Sequence, residues 1–511
     1  MLENNRTNNN RIAKNTIFLY VRMIIVLLVS LYTTRVVLNV LGVEDYGIYN
    51  VVAGFVSMFA FLNNAMNNMT QRYYNYEKGI GTTGALNEIY NTSLLIQAIM
   101  AIVIVIILES FGVWYINNKM VIPSEKIFEA NWVFQFSVIS LFLLIMQIPY
   151  SAAIISHEKM DYYAIVSVVD AGLKLAITIA LFYVESNKLI WYGALLLSIS
   201  ISNFLMYYIY SKQHFEEIYL KLIIKKNRFV EMLSFSWWNM FGSLAYTLQG
   251  QGLNVLINTF FGPTVNAARG IAFQIEGSIN GFCVNIATAF RPQLVESYAI
   301  KNYERTQNMM FNMSKYCYLM LYILTVPIVV ELQCILNIWL KGVIPEYTII
   351  FTYLILINML LGCLNIPISQ TVQATGVVRS YQIIRSIIVA STLPIAWVFL
   401  KFGFSPAIVF WITIAISIIN QPVSMIILHK NFSYSYKLYI KKVIMPCLLL
   451  TLLVPIVPII IHFLMSESIV KIMTVVVSSL LYSVVITYCV ILDNYEKEIV
   501  LKYIKNHLGL S

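Results

Sequence analysis

Residues 16–42, "TIFLYVRMIIVLLVSLYTTRVVLNVLG", form an apolar run long enough to cross a bilayer, closed by Gly42. Two arginines stand inside it, Arg22 and Arg35. An uncompensated guanidinium at the bilayer centre costs at least about 2.5–3.5 kcal/mol on insertion scales. The run therefore predicts a membrane helix and raises the question of what its arginines serve. They lie about 20 Å apart along a helix and about 220° apart around it, so they cannot share one face of a straight helix. Each is about 10 Å from its nearer membrane surface, within reach of partial snorkelling. Arg35, beside Tyr32 and Thr34 near the outer end, reads as such an anchor. Arg22, nearer the cytoplasmic side, reads equally well as an anchor or as a cavity cation.

The character of this run extends along the chain. Of 511 residues, 59% are hydrophobic and 11% charged, with a mean hydropathy of +0.75. Soluble domains carry roughly 25% charged residues. Counting about 20 apolar residues per crossing gives about fourteen spans. They fall near 15–41, 46–70, 86–115, 127–156, 162–184, 189–210, 229–261, 265–290, 308–340, 347–374, 380–402, 406–429, 440–465 and 469–491. The predicted fold is an all-α polytopic membrane protein. The longest connection, "SKQHFEEIYLKLIIKKNR" (211–228), has no globular content, so no extramembrane domain is expected to hold an active site. The first apolar run is too long for a signal peptide, and insertion without cleavage is expected.

The net charge of +10 does not require nucleic acid. With the N-terminus inside, about 24 of the 34 Lys and Arg residues fall in cytoplasmic segments and about seven outside. Arg22, Arg35 and Lys174 remain within spans. This bias predicts both termini in the cytoplasm. Six cysteines (283, 317, 334, 363, 447 and 489) stand singly without metal-ligand spacing and read as small core residues.

Three landmarks recur at an offset of 218–221 residues. "NTS" at 91–93 returns as "NMS" at 312–314. "IPYS" at 148–151, followed by Tyr163, returns as "IPIS" at 366–369, followed by Tyr381. The turn around Gly42 returns around Gly262. Six spans in each copy keep the copies in the same orientation, a parallel repeat of the kind transporters use. The expected organisation is a six-helix bundle at 1–210, a cytoplasmic linker at 211–228 and a second, pseudo-symmetric six-helix bundle at 229–430. Two additional transmembrane helices follow at 431–491. Residues 492–511 read as an interfacial, amphipathic cytoplasmic tail.

Polar residues fall in stripes on this apolar background. On the eighth span, Arg269, Glu276, Asn280 and Arg291 fall within about 60° of one another around the helix. The second span carries Ser57, Asn64, Asn68 and Gln71 on one face. The seventh reads "LQGQGLN" (248–254), where Gly250 and Gly252 permit a bend and Gln249, Gln251 and Asn254 supply amides. Such features suit a wet cavity, although amides alone also serve interhelical hydrogen bonding. Asp170 and Lys174 are spaced for a helical ion pair, either as a brace or as part of substrate or proton handling. Glu109 and Glu331 are expected near the outer ends of their spans, within reach of water. The chain has no Walker A loop, no H-E-x-x-H and no D-x-D. Any transport energy is expected from an ion gradient, the membrane potential or consumption of product.

Several stretches resemble the Wzx-type polysaccharide exporters. These are "NTIFLYVRM…VSLYTTRVVLNVLGVEDYGIYNVV" (15–52), "FLNNAMNNMTQRYY" (61–74), "AARGIAFQI" (267–275) and "QATGVVRSYQI" (373–383). That family consists of lipid-linked oligosaccharide flippases of the multidrug/oligosaccharidyl-lipid/polysaccharide exporter superfamily. The resemblance implies two six-helix bundles with two additional helices. It implies that an undecaprenyl-diphosphate-linked oligosaccharide moves from the inner to the outer leaflet of a bacterial cytoplasmic membrane by alternating access. The product would serve O-antigen, lipopolysaccharide or capsule synthesis. Arg269 is similar in placement to a cavity arginine of related lipid II flippases.

The substrate-binding residues expected on these grounds are Arg269, Arg22, Arg291, Asn280, Asn64, Asn68, Gln249 and Gln251. Glu276, Asp170 and Lys174 are candidates for coupling to H+ or Na+, with no metal or other cofactor expected. Arginine suits a diphosphate because its planar fork makes parallel charge-assisted bonds. The isoprenoid tail would stay in lipid, guided by the two additional helices. The expected partners are the lipid-linked oligosaccharide, membrane lipids and the polysaccharide polymerase machinery. Multidrug or cation antiport by the same superfamily is the alternative, favoured by an acidic cavity. A membrane polymerase would need a large outer loop, and none is expected.

Overall fold

A computed structural model of the chain describes residues 2–57, 59–81, 83–118, 120, 122–221, 225–340, 344–466, 468–492 and 497. The expected tail at 492–511 therefore lies almost wholly outside the described residues. The fold is all-α, as expected: among the described residues there are helices, turns and no strand. Among the described residues, ten helices are long and apolar enough to cross a membrane, from Gly84–Asn118 to Ile469–Cys489. In lipid, a helix satisfies every backbone N–H and C=O within its own segment, which is why the hydropathy pattern resolves into this one element type. The other four expected spans fall in Leu2–Ser57, Ala60–Ile80 and Lys226–Ala299.

Leu2–Ser57 and Lys226–Ala299 are each interrupted at one glycine. Gly42 has φ 78° and ψ 170°, and Gly262 has φ 80° and ψ −177°. This backbone region is open essentially to glycine alone, and other residues meet about 1–3 kcal/mol of strain there. The same conformation thus recurs at the repeat offset. Gly42→Ala and Gly262→Ala are each expected to destabilise the protein by about 1–3 kcal/mol, read as a lower unfolding temperature in detergent. Gly362→Ala, at a helical glycine with open space beside it, should cost nothing measurable.

The proline landmarks repeat in the same way. One span changes helix at Gln147, two residues before Pro149, and its counterpart changes at Leu364, three before Pro367. Proline lacks the N–H of the helical ladder and clashes with the carbonyl four residues back. The break in each span follows from that. All nine residues of Ile148–Ser156 are buried.

The chain divides into two compact units, Met1–Leu244 with Arg291–Asn302, and Ala245–Phe290 with Tyr303–Ser511. Both ends of the long helix Lys226–Ala299 thus group with the first unit and its middle with the second. The two additional helices group with the second unit. In the first unit, Leu2–Ser57 packs on Met160–Ala180, and Ile127–Met146 packs on Lys188–His214. Val36, Val37, Val40 and Leu41 bury against Leu181 and Tyr192.

The second unit centres on Thr348–Cys363 against Ile408–Asn431, with the Phe351 and Phe410 rings 4.6 Å apart. Gly250 and Gly252, which permit a bend, keep helical dihedrals here, and the non-helical break in that helix is at Gly262. Gly252 serves a close approach instead: a Cβ there would lie 2.6 Å from Leu393 Cδ2. The segment 436–464 is tied to Tyr303–Val330 by the hydroxyls of Tyr318 and Tyr322, which reach Thr451 Oγ1 at 2.6 Å and its carbonyl at 2.7 Å.

Glu331 departs from expectation. It stands at the break after Val330 and is only 2% exposed. His462 Nδ1 lies 2.8 Å from its Oε1 and Lys471 Nζ 3.8 Å from the same atom. Glu109 is exposed and accepts a hydrogen bond from Gln135 Nε2 at 3.0 Å.

Candidate binding sites within the two units

Each unit gathers polar side chains of its own inside apolar helices. In the first, a cavity of about 490 Å³ is lined by Arg22, Ser137, Gln147, Asp170, Lys174 and Asn203, among others. Asp170 and Lys174 face each other because they lie four residues apart on one helix, and Lys174 Nζ donates to Asp170 Oδ2 at 2.7 Å. Asn203 Nδ2 donates to Asp170 Oδ1 at 2.6 Å. The Arg22 guanidinium sits over the Tyr163 ring, 4.9 Å from its centroid, and its buried Nε has no acceptor. A cation over an aromatic face gains about 0.5–2 kcal/mol. Arg22 is thus a cavity residue and not only an interfacial anchor. The side chain of Arg35 lies outside the described residues.

The same unit engages the far end of the polar stripe. Arg291 Nη1 donates to Asn68 Oδ1 at 2.6 Å and to Gln71 Oε1 at 3.1 Å. The two helices expected to present matching polar faces do meet here, through amide-to-guanidinium bonds. Asn64, on the same helix as Asn68, is exposed.

In the second unit the stripe continues with Arg269, Glu276 and Asn280 along residues 263–290. Gly262 turns the backbone so that Arg269 reaches residues before the break. Its Nη1 donates to Asn254 Oδ1 at 3.1 Å and its Nη2 to the Gly250 carbonyl at 2.9 Å. The guanidinium also lies over Phe273, 4.4 Å from the ring centroid. Among the described residues, no carboxylate forms an ion pair with it, and its buried Nε has no acceptor. Glu276 and Asn280 lie four residues apart, on one face of the same helix. Gln249 Nε2 donates to Thr392 Oγ1 at 2.9 Å, and Gln251 is exposed.

The candidate residues therefore fall into separate groups. Arg22, Asp170 and Lys174 share a cavity, Arg291 joins Asn68, and Arg269 joins the amide-bearing segment around Asn254. The buried Nε of Arg22 and of Arg269 has no acceptor, which leaves these two guanidinium groups donors suited to holding an oxyanion. The sequence reading missed Arg385, which it counted among the cytoplasmic cations. Arg385 stands inside the helix Arg379–Ala390, and the tyrosine four residues before it was the available signal.

A family described as polysaccharide biosynthesis protein matches residues 12–297, more than half of the chain. The chain belongs to that family. No curated protein sequence matches the chain. Among solved structures, it is similar to a MOP superfamily transporter from Pyrococcus furiosus, described as having a binding pocket of reverse polarity. The identity is 14%, the TM-score 0.70, and the match covers 82% of this chain and 96% of that one. It is also similar to an outward-facing multidrug resistance MATE family transporter, with 15% identity, a TM-score of 0.68 and coverage of 83% and 97%. A MATE structure in a straight conformation matches with 15% identity, a TM-score of 0.70 and coverage of 83% and 96%. These identities establish the fold alone. The polysaccharide biosynthesis chain is thus a multi-pass membrane protein with a transporter fold.

Proposed function

We propose that this exporter flips an undecaprenyl-diphosphate-linked oligosaccharide from the cytoplasmic to the outer leaflet of a bacterial cytoplasmic membrane. Both termini would be cytoplasmic, and the product would feed O-antigen or capsule-type polymerisation. The observation that carries this reading is Arg269, a guanidinium on a membrane helix held by neutral acceptors and an aromatic ring. Such a residue is costly in a bilayer, and its fork matches a phosphate oxyanion. Membership in a polysaccharide biosynthesis family supports a lipid-linked sugar as the cargo.

Export of a cationic drug would need an acidic group left open to it. Asp170 is already held by Lys174 and Asn203, which leaves Glu276 as the carboxylate that the cationic alternative would rely on. Coupling to H+ or Na+ is assigned to Glu276, Asp170 and Lys174. The test is deletion of the gene, followed by mass spectrometry of lipid extracts. Undecaprenyl-diphosphate-linked oligosaccharide should accumulate, and its absence would overturn the assignment.

A further inference from the structure

We propose that Arg385, Tyr381 and Tyr246 of the second unit form an oxyanion-binding site separate from Arg269. Arg385 Nη1 donates to the Tyr381 hydroxyl at 2.7 Å, and Nη2 donates to the Tyr246 hydroxyl. The guanidinium carbon lies 4.8 Å from the Tyr381 ring centroid and 5.3 Å from that of Tyr246. A guanidinium has five N–H donors, and these two bonds leave three. Nε is buried without an acceptor. Among the described residues, no carboxylate forms an ion pair with Arg385. A cation about 9 Å along a membrane helix from Arg379 is thus held by neutral oxygens alone, with the donors of a bidentate fork to spare.

Tyr381 is fixed before any ligand arrives. The Tyr381 hydroxyl donates to Asn365 Oδ1 at 3.0 Å. Asn365 Nδ2 in turn donates to Gln421 Oε1 and Ser424 Oγ, each at 3.1 Å. Tyr246 is 41% exposed, so the site opens on that side.

A second, independent observation comes from the repeat. Tyr381 stands at the offset of 218 from Tyr163, and Tyr163 carries the Arg22 guanidinium at 4.9 Å, beside a cavity. In the first unit the cation comes from the first helix of its copy. In the second it comes from the helix of the tyrosine itself. Each copy seats a guanidinium on the same tyrosine by a different route, which is hard to explain as a packing accident.

The ligand class is a phosphate or carboxylate, from either a lipid diphosphate or an acidic sugar, since both present two oxygens to a guanidinium. The site does not depend on the role given to Arg269, and the experiment keeps the two apart. The purified full chain in detergent is titrated with inorganic pyrophosphate, farnesyl diphosphate and glucuronate by calorimetry. Binding is expected to weaken at least ~10-fold in R385Q, to be intermediate in R385K, and to persist at this site in R269Q.

Farnesyl diphosphate binding best would identify the lipid source, and glucuronate binding best the sugar. Without ligand, R385Q should unfold no lower than the wild type, because a charge without a counter-ion has been removed. The proposal is overturned if the wild type binds none of the three probes, or if R385Q binds them like the wild type. It is also overturned if R385Q unfolds markedly earlier or fails to fold, which would make Arg385 a brace for the tyrosines.

Discussion

Arg269→Ala is expected to abolish surface polysaccharide while leaving the protein at normal abundance in the membrane. The side chain bonds Asn254 and the Gly250 carbonyl and covers Phe273. All three are neutral, so its removal strands no opposite charge. Asn254 keeps its amide, and the Gly250 carbonyl keeps its place in the helical ladder. Stability should therefore change little. Binding of an anion should change greatly, because removing one member of a buried charged pair costs about 2–5 kcal/mol, at least ~30-fold. Arg269→Lys keeps the charge but loses the planar fork, and partial export is expected. Blotting for surface glycan and for the protein in the same cells separates the two effects. Full export by Arg269→Ala at normal abundance would remove this residue from the site.

Glu331→Ala is expected to act in the opposite way, on stability first. Glu331 and Lys471 are 2% and 4% exposed, and the carboxylate is the shared partner of Lys471 and His462. Deleting it leaves a buried ammonium without a counter-charge. Breaking such a pair costs about 3–5 kcal/mol, a large share of the ordinary 5–15 kcal/mol of a folded domain. A strongly lowered unfolding temperature in detergent is the expected reading. Replacing both charges, as Glu331→Leu with Lys471→Met, should recover most of the loss, since well-packed apolar residues often equal a buried ion pair. If the double variant is no more stable than Glu331→Ala, the pair is not what holds this region.

The fold class was legible because lipid leaves the backbone few choices, so composition and run length suffice. The repeat was legible where backbone geometry is tied to residue type, at Gly42 and Gly262 and at Pro149 and Pro367. Elsewhere residue type was less decisive. Gly250 and Gly252 permit a bend, yet a helical glycine adopts no special conformation unless packing demands it, and Leu393 is what approaches Gly252. Partners distant in sequence were invisible for another reason. Glu331 meets His462 across 131 residues, and no periodicity encodes such a distance. Arg385 falls inside the expected span 380–402, but its partner Tyr246 lies 139 residues away, and no periodicity encodes that pairing.

Arg291 shows the middle case. The matching amides on the second span were visible at helical spacing, and they do receive its guanidinium. Helical angle, however, says nothing about which unit claims which end of a long helix. Arg269 and Arg291 share a face, and the chain divides between them.

The paired glycine breaks have a consequence for how this chain can vary over generations. Every one-nucleotide change of a glycine codon that alters the residue gives one that carries a Cβ, or a stop. At Gly42 and Gly262, where φ is 78° and 80°, each of those neighbours meets backbone strain. Neutral drift therefore has no easy first step at either position, whatever cargo the protein carries. The two copies are free to trade arginines between helices, as at Tyr163 and Tyr381, while the joints that aim those helices stay put.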